Sequence, residues 1–256
     1  MEPEKALASD ELSAYFQPIY RMGDGALFGL EVLARRVVDG EHQPPAQFFH
    51  LLHDPKGWLR VDLSGLRHAL RIAQILPQQP GRHLFVNLSV ATARDPGWLA
   101  LYLSMLERTV RQVRPHQLVV EIPEEYEGAP LQTAELCFQL RQTGVLVALD
   151  DHRGVAADAR REGSWLWDII KIDTGSRHAG DAVDTLRTIL ARRRAAHLQQ
   201  PLIILEGIED VRQVQRFAAY GEPLLIQGYA YSRPLPLEQV LKIVATGDTA
   251  DIAPAS

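Results

Sequence analysis

The sequence predicts an α/β protein, namely a (β/α)₈ TIM-like barrel with one antiparallel strand near the N-terminus. Short apolar runs alternate with longer amphipathic segments along the chain. The short runs are almost continuously apolar, which is typical of strands that helices cover in a parallel sheet. The length of 256 residues also suits a single closed barrel of this kind.

Eight short runs are strand candidates, and the first two are joined differently from the rest. Arg21–Ala26 contains Gly23, Asp24 and Gly25, which predicts a hairpin, so one strand of this pair should run antiparallel to the others. The candidates are Ala14–Tyr20, Leu27–Ala34, His83–Ser89, Gln117–Ile122, Val145–Asp150, Asp168–Asp173, Pro201–Glu206 and Leu224–Tyr229.

Helix candidates follow the strands along the chain, and together they predict one domain over residues 1–246 with a flexible tail at 247–256. The arginine runs Arg160-Arg161 and Arg192–Arg194 are interpreted as solvated faces. The helix candidates are Trp58–Leu76, Gly97–Val113, Leu131–Thr143, Ala182–His197, Val211–Ala219 and Leu237–Val244.

Composition excludes several classes of protein. Hydrophobic residues make up 46% of the chain, charged residues 23%, and the net charge of −5 provides no basic surface for a nucleic-acid polymer. A single cysteine, Cys137, permits no intrachain disulfide. No apolar run approaches the length of a membrane span, so we expect a cytoplasmic protein without a membrane segment.

Polar residues lie inside or directly after the apolar strands. The carboxyl ends of parallel strands open on one face of a barrel, so these side chains should converge at one mouth. Asn87 is the only asparagine, and Lys171 is one of four lysines yet lies within an apolar strand. The polar positions are Glu31, Asn87, Glu121, Asp150, Asp151, Lys171, Asp173, Glu206 and Gln227.

These side chains form a set of oxygen ligands that predicts a metal site. Carboxylate and amide oxygens suit Mg²⁺ or Mn²⁺ better than zinc or copper. More than four of them on one face favour two ions about 3.5–4 Å apart, an arrangement typical of phosphodiester hydrolysis. The alternative is a structural polar network without metal. The ligand set is Glu31, Asn87, Glu121, Asp150 and Asp151.

An ordered series of short motifs extends over nearly the whole chain. It runs from Phe16-Gln17-Pro18-Ile19 to Gln227-Gly228-Tyr229 and Arg233-Pro234. Between them stand Glu31-Val32-Leu33-Ala34-Arg35, Asn87-Leu88-Ser89, Glu121-Ile122-Pro123-Glu124, Asp150-Asp151, Lys171-Ile172-Asp173 and Glu206-Gly207-Ile208-Glu209. This series resembles the motifs of the EAL family of cyclic-di-GMP phosphodiesterases.

The resemblance implies a barrel enzyme that opens cyclic-di-GMP to linear pGpG. It implies that the ligand set above holds two Mg²⁺ or Mn²⁺ ions, that Lys171 polarises or positions the attacking water, and that Glu206 acts as general base or orients that water. It further implies a homodimer and a regulatory protein partner. Substrate contacts fall to Gln17, Arg35 and Gln227, and supporting roles to Glu124, Asp173 and Glu209.

The chain departs from the family pattern directly after Asp151. The family usually has Phe-Gly-Thr-Gly-Tyr-Ser there, whereas this chain has His152–Ala157 with Gly154 as its glycine. His152 is either a new metal ligand or a buried replacement for the phenylalanine ring. Arg35 is either a phosphate contact or part of a solvated rim. The alternative function is therefore a catalytically impaired EAL module that acts as a cyclic-di-GMP receptor or a protein-interaction domain.

Overall fold

The computed structural model describes residues 11–76, 82–113, 118–123, 125–126, 130–154, 167–175, 179–220 and 223–246. The predicted tail at 247–256, Glu124, and the Arg160-Arg161 pair lie outside the described residues. Within the described ranges, no helix is both long enough and apolar enough to cross a membrane.

The described strands form one closed sheet. They are β1 (Leu12–Arg21), β2 (Leu27–Val38), β3 (Glu41–Gln43), β4 (His83–Asn87), β5 (Leu118–Ile122), β6 (Leu146–His152), β7 (Ile169–Asp173), β8 (Leu202–Glu206) and β9 (Leu224–Ile226). Their spatial order is β1-β9-β8-β7-β6-β5-β4-β2-β3, and β1 also pairs with β2. Eight strands therefore close the barrel, and β3 lies outside this ring, where it pairs antiparallel with the end of β2.

Strand β1 is the antiparallel member of the barrel. It runs antiparallel to both β2 and β9, whereas the pairs from β2–β4 through β8–β9 are parallel. The turn between β1 and β2 places Gly25 at φ +67°, and the Arg21 N–H donates to the Ala26 carbonyl at 2.9 Å. The predicted barrel with one antiparallel strand near the N-terminus is confirmed.

The described helices surround this barrel. Four of them begin earlier than predicted, and two of these do so because Asp54 and Asp95 cap them and a proline follows each aspartate. Asp54 Oδ1 accepts from Gly57 N at 2.6 Å, and Asp95 Oδ1 accepts from Trp98 N at 2.9 Å. The helices are α1 (Pro45–Phe48), α2 (Pro55–Ile75), α3 (Val90–Arg94), α4 (Pro96–Gln112), α5 (Pro130–Gln142), α6 (Ala179–Ala195), α7 (Val211–Gln215) and α8 (Leu237–Thr246).

One hairpin was missed by the sequence prediction. β2 continues to Val38 instead of ending at Ala34, and the chain then turns at Asp39-Gly40 into β3. Asp39 and Gly40 have φ of +52° and +83°. An Asp-Gly pair directly after an apolar strand is a recognised signal for such a tight turn, so the sequence contained the information.

The interpretation of Arg192–Arg194 as a solvated run is wrong at Arg193. Arg192 and Arg194 are exposed, but Arg193 is 2% exposed. Its Nε and Nη2 donate to the Gln199 carbonyl at 2.9 and 2.7 Å. The reason is helical periodicity: Arg193 follows Ile189 and Leu190 on the buried face of α6, and its guanidinium satisfies a carbonyl beyond the helix end.

An apolar plug inside the barrel determines where the polar side chains lie. It consists of Ile19, Phe85, Val119, Ala148, Ile169, Ile204 and Leu225. Side chains alternate along a strand, so the residue two positions nearer the carboxyl-end mouth faces the same interior. On each parallel strand, the residue two positions after the apolar residue is polar. On the antiparallel β1, the corresponding polar residue lies two positions before Ile19. These polar residues are Gln17, Asn87, Glu121, Asp150, Lys171, Glu206 and Gln227.

Strand β9 is shorter than predicted because Gly228 packs directly against another backbone segment. A Cβ added to Gly228 would lie 2.2 Å from Ile208 O and 2.4 Å from Ile208 N. In the same contact, Ile208 N donates to Gln227 O at 3.3 Å and Ala230 N donates to Ile208 O at 2.9 Å. The chain therefore leaves the sheet after Ile226 in order to cross the segment that follows β8.

Gly228→Ala is expected to destabilise the protein, because the added methyl group cannot fit without moving one of these two backbones. We expect the free energy of unfolding to fall by about 2–3 kcal/mol, as for other overpacked sites, in a urea titration. Gly65→Ala is the control: nothing lies within 4 Å of the added Cβ in α2, and we expect a gain of about 0.5–1 kcal/mol. Equal stability of Gly228→Ala and the unchanged protein would contradict this packing.

Candidate functional site

Lys171 lies at the centre of the barrel mouth, surrounded by four carboxylates. The Lys171 side chain is 2% exposed and rises from the middle of β7. Its Nζ lies 3.5 Å from Glu31 Oε2, 2.8 Å from Glu121 Oε1, 2.6 Å from Asp150 Oδ1 and 3.1 Å from Glu206 Oε2. We call these four acids, Glu31, Glu121, Asp150 and Glu206, the carboxylate cluster.

The environment of Lys171 keeps it charged. Burial alone would lower the pKa of Lys171, but the carboxylate cluster outweighs this cost and raises that pKa well above its usual value. The ammonium in turn stabilises the ionised form of its neighbours. The structure therefore brings together five of the predicted site residues, which come from five separate strands.

Glu31 is the best-satisfied acid of the cluster. Gln227 Nε2 donates to Glu31 Oε2 at 2.5 Å, and Asn87 Nδ2 donates to Glu31 Oε1 at 3.3 Å. Burial raises the pKa of Glu31, but Lys171 and these two amides outweigh it, so the pKa is lowered overall. Gln227 Nε2 also lies 3.3 Å from Gln17 Oε1, which extends the network to β1. Glu31 is thus held as an ionised carboxylate.

The other acids of the cluster are held less favourably. Burial raises the pKa of Glu121 and of Glu206 well above the usual range, despite Lys171, and neighbouring acids raise both further. Burial likewise raises the pKa of Asp150 to about 6. Among the described residues, Glu121 Oε2 and Glu206 Oε1 are buried without a hydrogen-bond partner, and neither is an oxygen that Lys171 pairs with.

The donor set fits a hard divalent cation. Buried carboxylate oxygens without a partner, together with the Asn87 amide, are the ligands that Mg²⁺ and Mn²⁺ prefer. As they stand, no three His, Cys, Asp or Glu side chains of the described residues are grouped as a metal site, because the carboxylates point at the Lys171 ammonium. Cation binding would therefore require them to share their oxygens between Lys171 and the ion.

The end of β6 presents Asp151 and His152 beside the cluster. Asp151 is half-buried at φ +50° and lies close enough to raise the pKa of Asp150 and of Glu206. His152 is 2% exposed, and its Nδ1 accepts from Gly154 N at 3.2 Å. Residues 155–157 of the altered segment lie outside the described residues.

Asp173 supports the end of β7 and does not contact the cluster through any described side-chain bond. Its Oδ1 accepts from Gly175 N at 2.8 Å, and Oδ2 lies 3.8 Å from Arg153 Nε. Glu209 is exposed, and its backbone N–H donates to Gln213 Oε1 at 2.9 Å. The predicted supporting role of Glu209 therefore has no contact among the described residues to carry it.

Arg35 lies at the mouth but is not a solvated rim residue, so that alternative is wrong. It is 7% exposed, and its guanidinium stacks over the Tyr15 ring at 4.7 Å while Nη1 donates to Ala34 O at 2.8 Å. Burial lowers the pKa of Arg35, and nearby Tyr229 and Glu31 oppose the shift. Tyr229, which is half exposed, carries the Arg233 guanidinium 4.5 Å above its ring.

A cavity of about 700 Å³ opens beside the cluster. Glu31 and Asn87 form one side of it, and apolar side chains such as Phe49, Trp58 and Val61 form another. Asp62 of α2 also lines it, and the sequence prediction missed this residue. The available signal was an aspartate at a position that α2 otherwise fills with buried apolar residues such as Leu59 and Leu66.

Fold and site together define the class of protein: a (β/α)₈-type barrel whose mouth holds buried acids around one lysine. The EAL domain family model matches residues 2–234, and the chain belongs to the EAL domain family.

Two proteins that are similar to this chain are named as phosphodiesterases. The chain is 25% identical to "Probable cyclic di-GMP phosphodiesterase PdeB" of Escherichia coli K12, over 93% of this chain and 46% of PdeB. It is 27% identical to "Cyclic di-GMP phosphodiesterase RocR" of Pseudomonas aeruginosa, over 93% of this chain and 61% of RocR. The chain thus spans about half the length of these relatives.

Solved structures agree on the fold. An EAL domain protein from Listeria monocytogenes matches with a TM-score of 0.76 at 19% identity, covering 96% of this chain and 99% of that one. The FimX EAL domain from Pseudomonas aeruginosa, bound to c-di-GMP, matches with a TM-score of 0.72 at 24% identity, covering 90% and 93%. At these identities the likeness establishes the shared barrel.

Proposed function

We propose that this chain hydrolyses cyclic-di-GMP to linear pGpG in a reaction that depends on divalent cations. The observation that carries the proposal is the carboxylate cluster itself, which gathers acids from separate strands. Among the described residues, Glu121 Oε2 and Glu206 Oε1 are buried with neither a hydrogen bond nor a contact with Lys171. Membership of the EAL domain family and relatives named as cyclic di-GMP phosphodiesterases support this choice of substrate.

The proposed cofactors are two Mg²⁺ or Mn²⁺ ions. When bound, such ions neutralise phosphate charge and lower the pKa of the attacking water. The ligands we propose share one property, a side-chain oxygen atom at the carboxyl-end mouth of the barrel. They are Glu31, Asn87, Glu121, Asp150 and Asp151.

Glu206 and Lys171 are the proposed catalytic pair. Glu206 Oε1 has no hydrogen-bond partner among the described residues and can accept the proton of the attacking water, and burial raises the pKa of this carboxyl. Lys171, 3.1 Å from Glu206 Oε2, holds that carboxylate in place and can orient the same water. The water oxygen bonds to phosphorus, the P–O3′ bond breaks, and the 3′ oxygen receives a proton, which opens the ring to pGpG.

Substrate contacts are assigned to Arg35, Gln17 and Gln227. The planar guanidinium of Arg35 suits phosphate, and its stacking on Tyr15 restricts its orientation in advance. Gln17 and Gln227 are both buried close to Glu31. The Gln227 amide donates to the Glu31 carboxylate and lies 3.3 Å from Gln17 Oε1, so both side chains lie next to a proposed metal ligand. The apolar wall of the neighbouring cavity suits a planar base.

The test is incubation of the purified chain with cyclic-di-GMP and either Mg²⁺ or Mn²⁺, with pGpG followed by chromatography. We expect turnover that stops when EDTA removes the cation and returns when Mn²⁺ is added back. Glu107→Gln, an exchange on the surface of α4, should turn over at the unchanged rate. Absence of pGpG with both metals would overturn the proposal.

The alternative is a receptor or a protein-interaction module. It is favoured by one observation, the replacement of the family's glycine-containing segment by His152–Ala157 beside Asp151, which itself has a positive φ of +50°. Binding of cyclic-di-GMP measured by calorimetry, without pGpG formation in either metal, would identify the receptor.

A cytoplasmic location, a homodimer and a regulatory partner remain predictions within this proposal.

A further inference from the structure

Asp62 is a buried carboxylate outside the carboxylate cluster. It lies in the middle of α2 and is 3% exposed. Burial raises the pKa of Asp62 to about 6, although hydrogen bonds from Thr92 and Ser89 lower it in part. A carboxylate in such a place is unfavourable unless its contacts compensate for the lost water. Its contacts therefore indicate why an acid stands at this position.

Both oxygens of Asp62 bind the same residue on the β4–α3 connection. Ser89 N donates to Asp62 Oδ1 at 3.2 Å, and Ser89 Oγ lies 2.7 Å from Asp62 Oδ2. Ser89 also caps α3, because its Oγ accepts from Thr92 N at 3.3 Å. Two bonds from one carboxylate fix both the backbone and the side chain of Ser89.

Ser89 stands two residues after Asn87, a proposed metal ligand. The residue between them, Leu88, is fully buried, and its N–H donates to Glu121 O at 3.0 Å. The segment Asn87–Ser89 is therefore held to β5 on one side and to α2 on the other. Asn87 itself is exposed, and its Nδ2 donates to Glu31 at 3.3 Å, a long bond that fixes its direction weakly. The direction of its amide thus depends on the backbone that Asp62 holds.

We propose that Asp62 is a positioning residue for the metal site, because its hold on Ser89 directs the Asn87 amide oxygen toward the bound cation. This inference rests on the proposed function, since it assumes that Asn87 is a ligand. It adds a residue on α2 to a site otherwise built from residues of the barrel strands.

The first experiment measures Mn²⁺ binding to the purified full chain by calorimetry and by electron paramagnetic resonance of free Mn²⁺. We expect Asp62→Ala and Ser89→Ala each to weaken Mn²⁺ affinity about 10-fold, the lower end of the effect known for groups that orient metal ligands. The double variant should bind no more weakly than the weaker single variant, because both changes break the same contact. Asp62→Asn should retain most of the affinity, since its amide oxygen still accepts from Ser89 N.

Two further variants separate positioning from mere stability. In an Asn87→Ala protein, Asp62→Ala should cause no additional loss of Mn²⁺ affinity, because the ligand that Asp62 directs is gone. Leu66→Ala, on the same buried face of α2, should lower the melting temperature but leave Mn²⁺ affinity unchanged. Saturating Mn²⁺ should restore most of the turnover of Asp62→Ala, as expected for a defect in metal binding.

The outcomes distinguish this inference from the proposed function. Unchanged Mn²⁺ affinity in Asp62→Ala, or the same further loss in the Asn87→Ala background, would overturn the positioning role and leave the hydrolase intact. Mn²⁺ binding that depends on Asp62, in a protein that forms no pGpG, would support the positioning role while overturning the hydrolase. A protein that binds no Mn²⁺ would overturn both.

Discussion

Lys171→Met is expected to destabilise the metal-free protein by about 3–5 kcal/mol, the usual loss when one partner of a buried ion-pair network is removed. Lys171 Nζ is the cation shared by the whole carboxylate cluster, with two contacts at 2.8 Å or less. Methionine is close to lysine in length but cannot pair with an acid. The four acids would then remain buried without a counter-charge, and burial of an unpaired charge is strongly unfavourable.

The decrease in the free energy of unfolding caused by Lys171→Met should become larger as the pH rises. Without the ammonium, the pKa values of Glu121, Asp150 and Glu206 in the folded protein, which are already raised, rise further above those of the unfolded chain, so the folded state binds more protons. Stability then falls as pH rises through the interval between the two sets of pKa values. For Asp150, whose pKa is already about 6 with Lys171 present, this interval reaches neutral pH. Urea titrations in EDTA should therefore show a larger deficit at pH 8 than at pH 5.

Mn²⁺ should reverse much of that loss of stability, and this separates the structural role of Lys171 from its proposed catalytic role. A divalent cation supplies the charge that methionine lacks, so added Mn²⁺ should stabilise Lys171→Met more than the unchanged protein. Turnover should nevertheless stay about 10²–10³-fold low, because the ammonium that orients the water is absent. Lys56→Met, at the exposed start of α2, is the control and should change neither property. A Lys171→Met protein as stable as the unchanged protein at pH 8 in EDTA would refute the central role of this ion-pair network.

The strands and the mouth were predictable from the sequence for a simple reason. Side chains alternate along a strand, so a polar residue faces the barrel interior when the residue two positions earlier does. It then lies nearer to the carboxyl-end mouth than that earlier residue. Phe85 predicts the direction of Asn87 in this way, and Ile169 predicts that of Lys171. The family motifs then identified the same positions.

What the sequence left open depends on contacts between distant segments. The pairing of Asp62 with Ser89 joins residues 27 positions apart, and the end of β9 depends on Gly228 meeting the backbone of Ile208. Neither contact has a periodic signature. Arg35 shows the same limit, because its contacts with Tyr15 and Ala34 explain why this charged residue of β2 is buried.

The order of the pKa shifts adds information that residue types alone do not contain. Lys171 and two amides keep the pKa of Glu31 low, whereas burial and like charges raise the pKa of Glu121 and of Glu206. Acids of one site whose pKa values are shifted in opposite directions can take different chemical roles. Glu31 is suited to remain an ionised ligand, and Glu206 is suited to take up a proton.

Glu31→Ala is expected to abolish turnover, with a loss of at least about 10³-fold. The reason is that Glu31 contacts a proposed metal ligand, a proposed substrate contact and Lys171. Glu31 accepts from Gln227 at 2.5 Å and from Asn87 at 3.3 Å, and it lies 3.5 Å from Lys171. Its removal deletes a proposed ligand and also frees the amides of a second proposed ligand and a proposed substrate contact. Mn²⁺ affinity and pGpG formation should therefore fall together.

Glu31→Gln is the matched variant, because it keeps the size and one acceptor oxygen but removes the charge. The amide oxygen of the new side chain can still accept from Gln227, so we expect the melting temperature to stay closer to that of the unchanged protein than in Glu31→Ala. Its neutral amide is a much weaker ligand for a hard cation, so turnover should still fall about 10²-fold or more. Loss of turnover in both variants, with stability lost mainly in Glu31→Ala, would show that the charge of Glu31 serves the metal and not the fold. Continued hydrolysis by Glu31→Ala at the unchanged rate would show that the reaction does not take place at the barrel mouth.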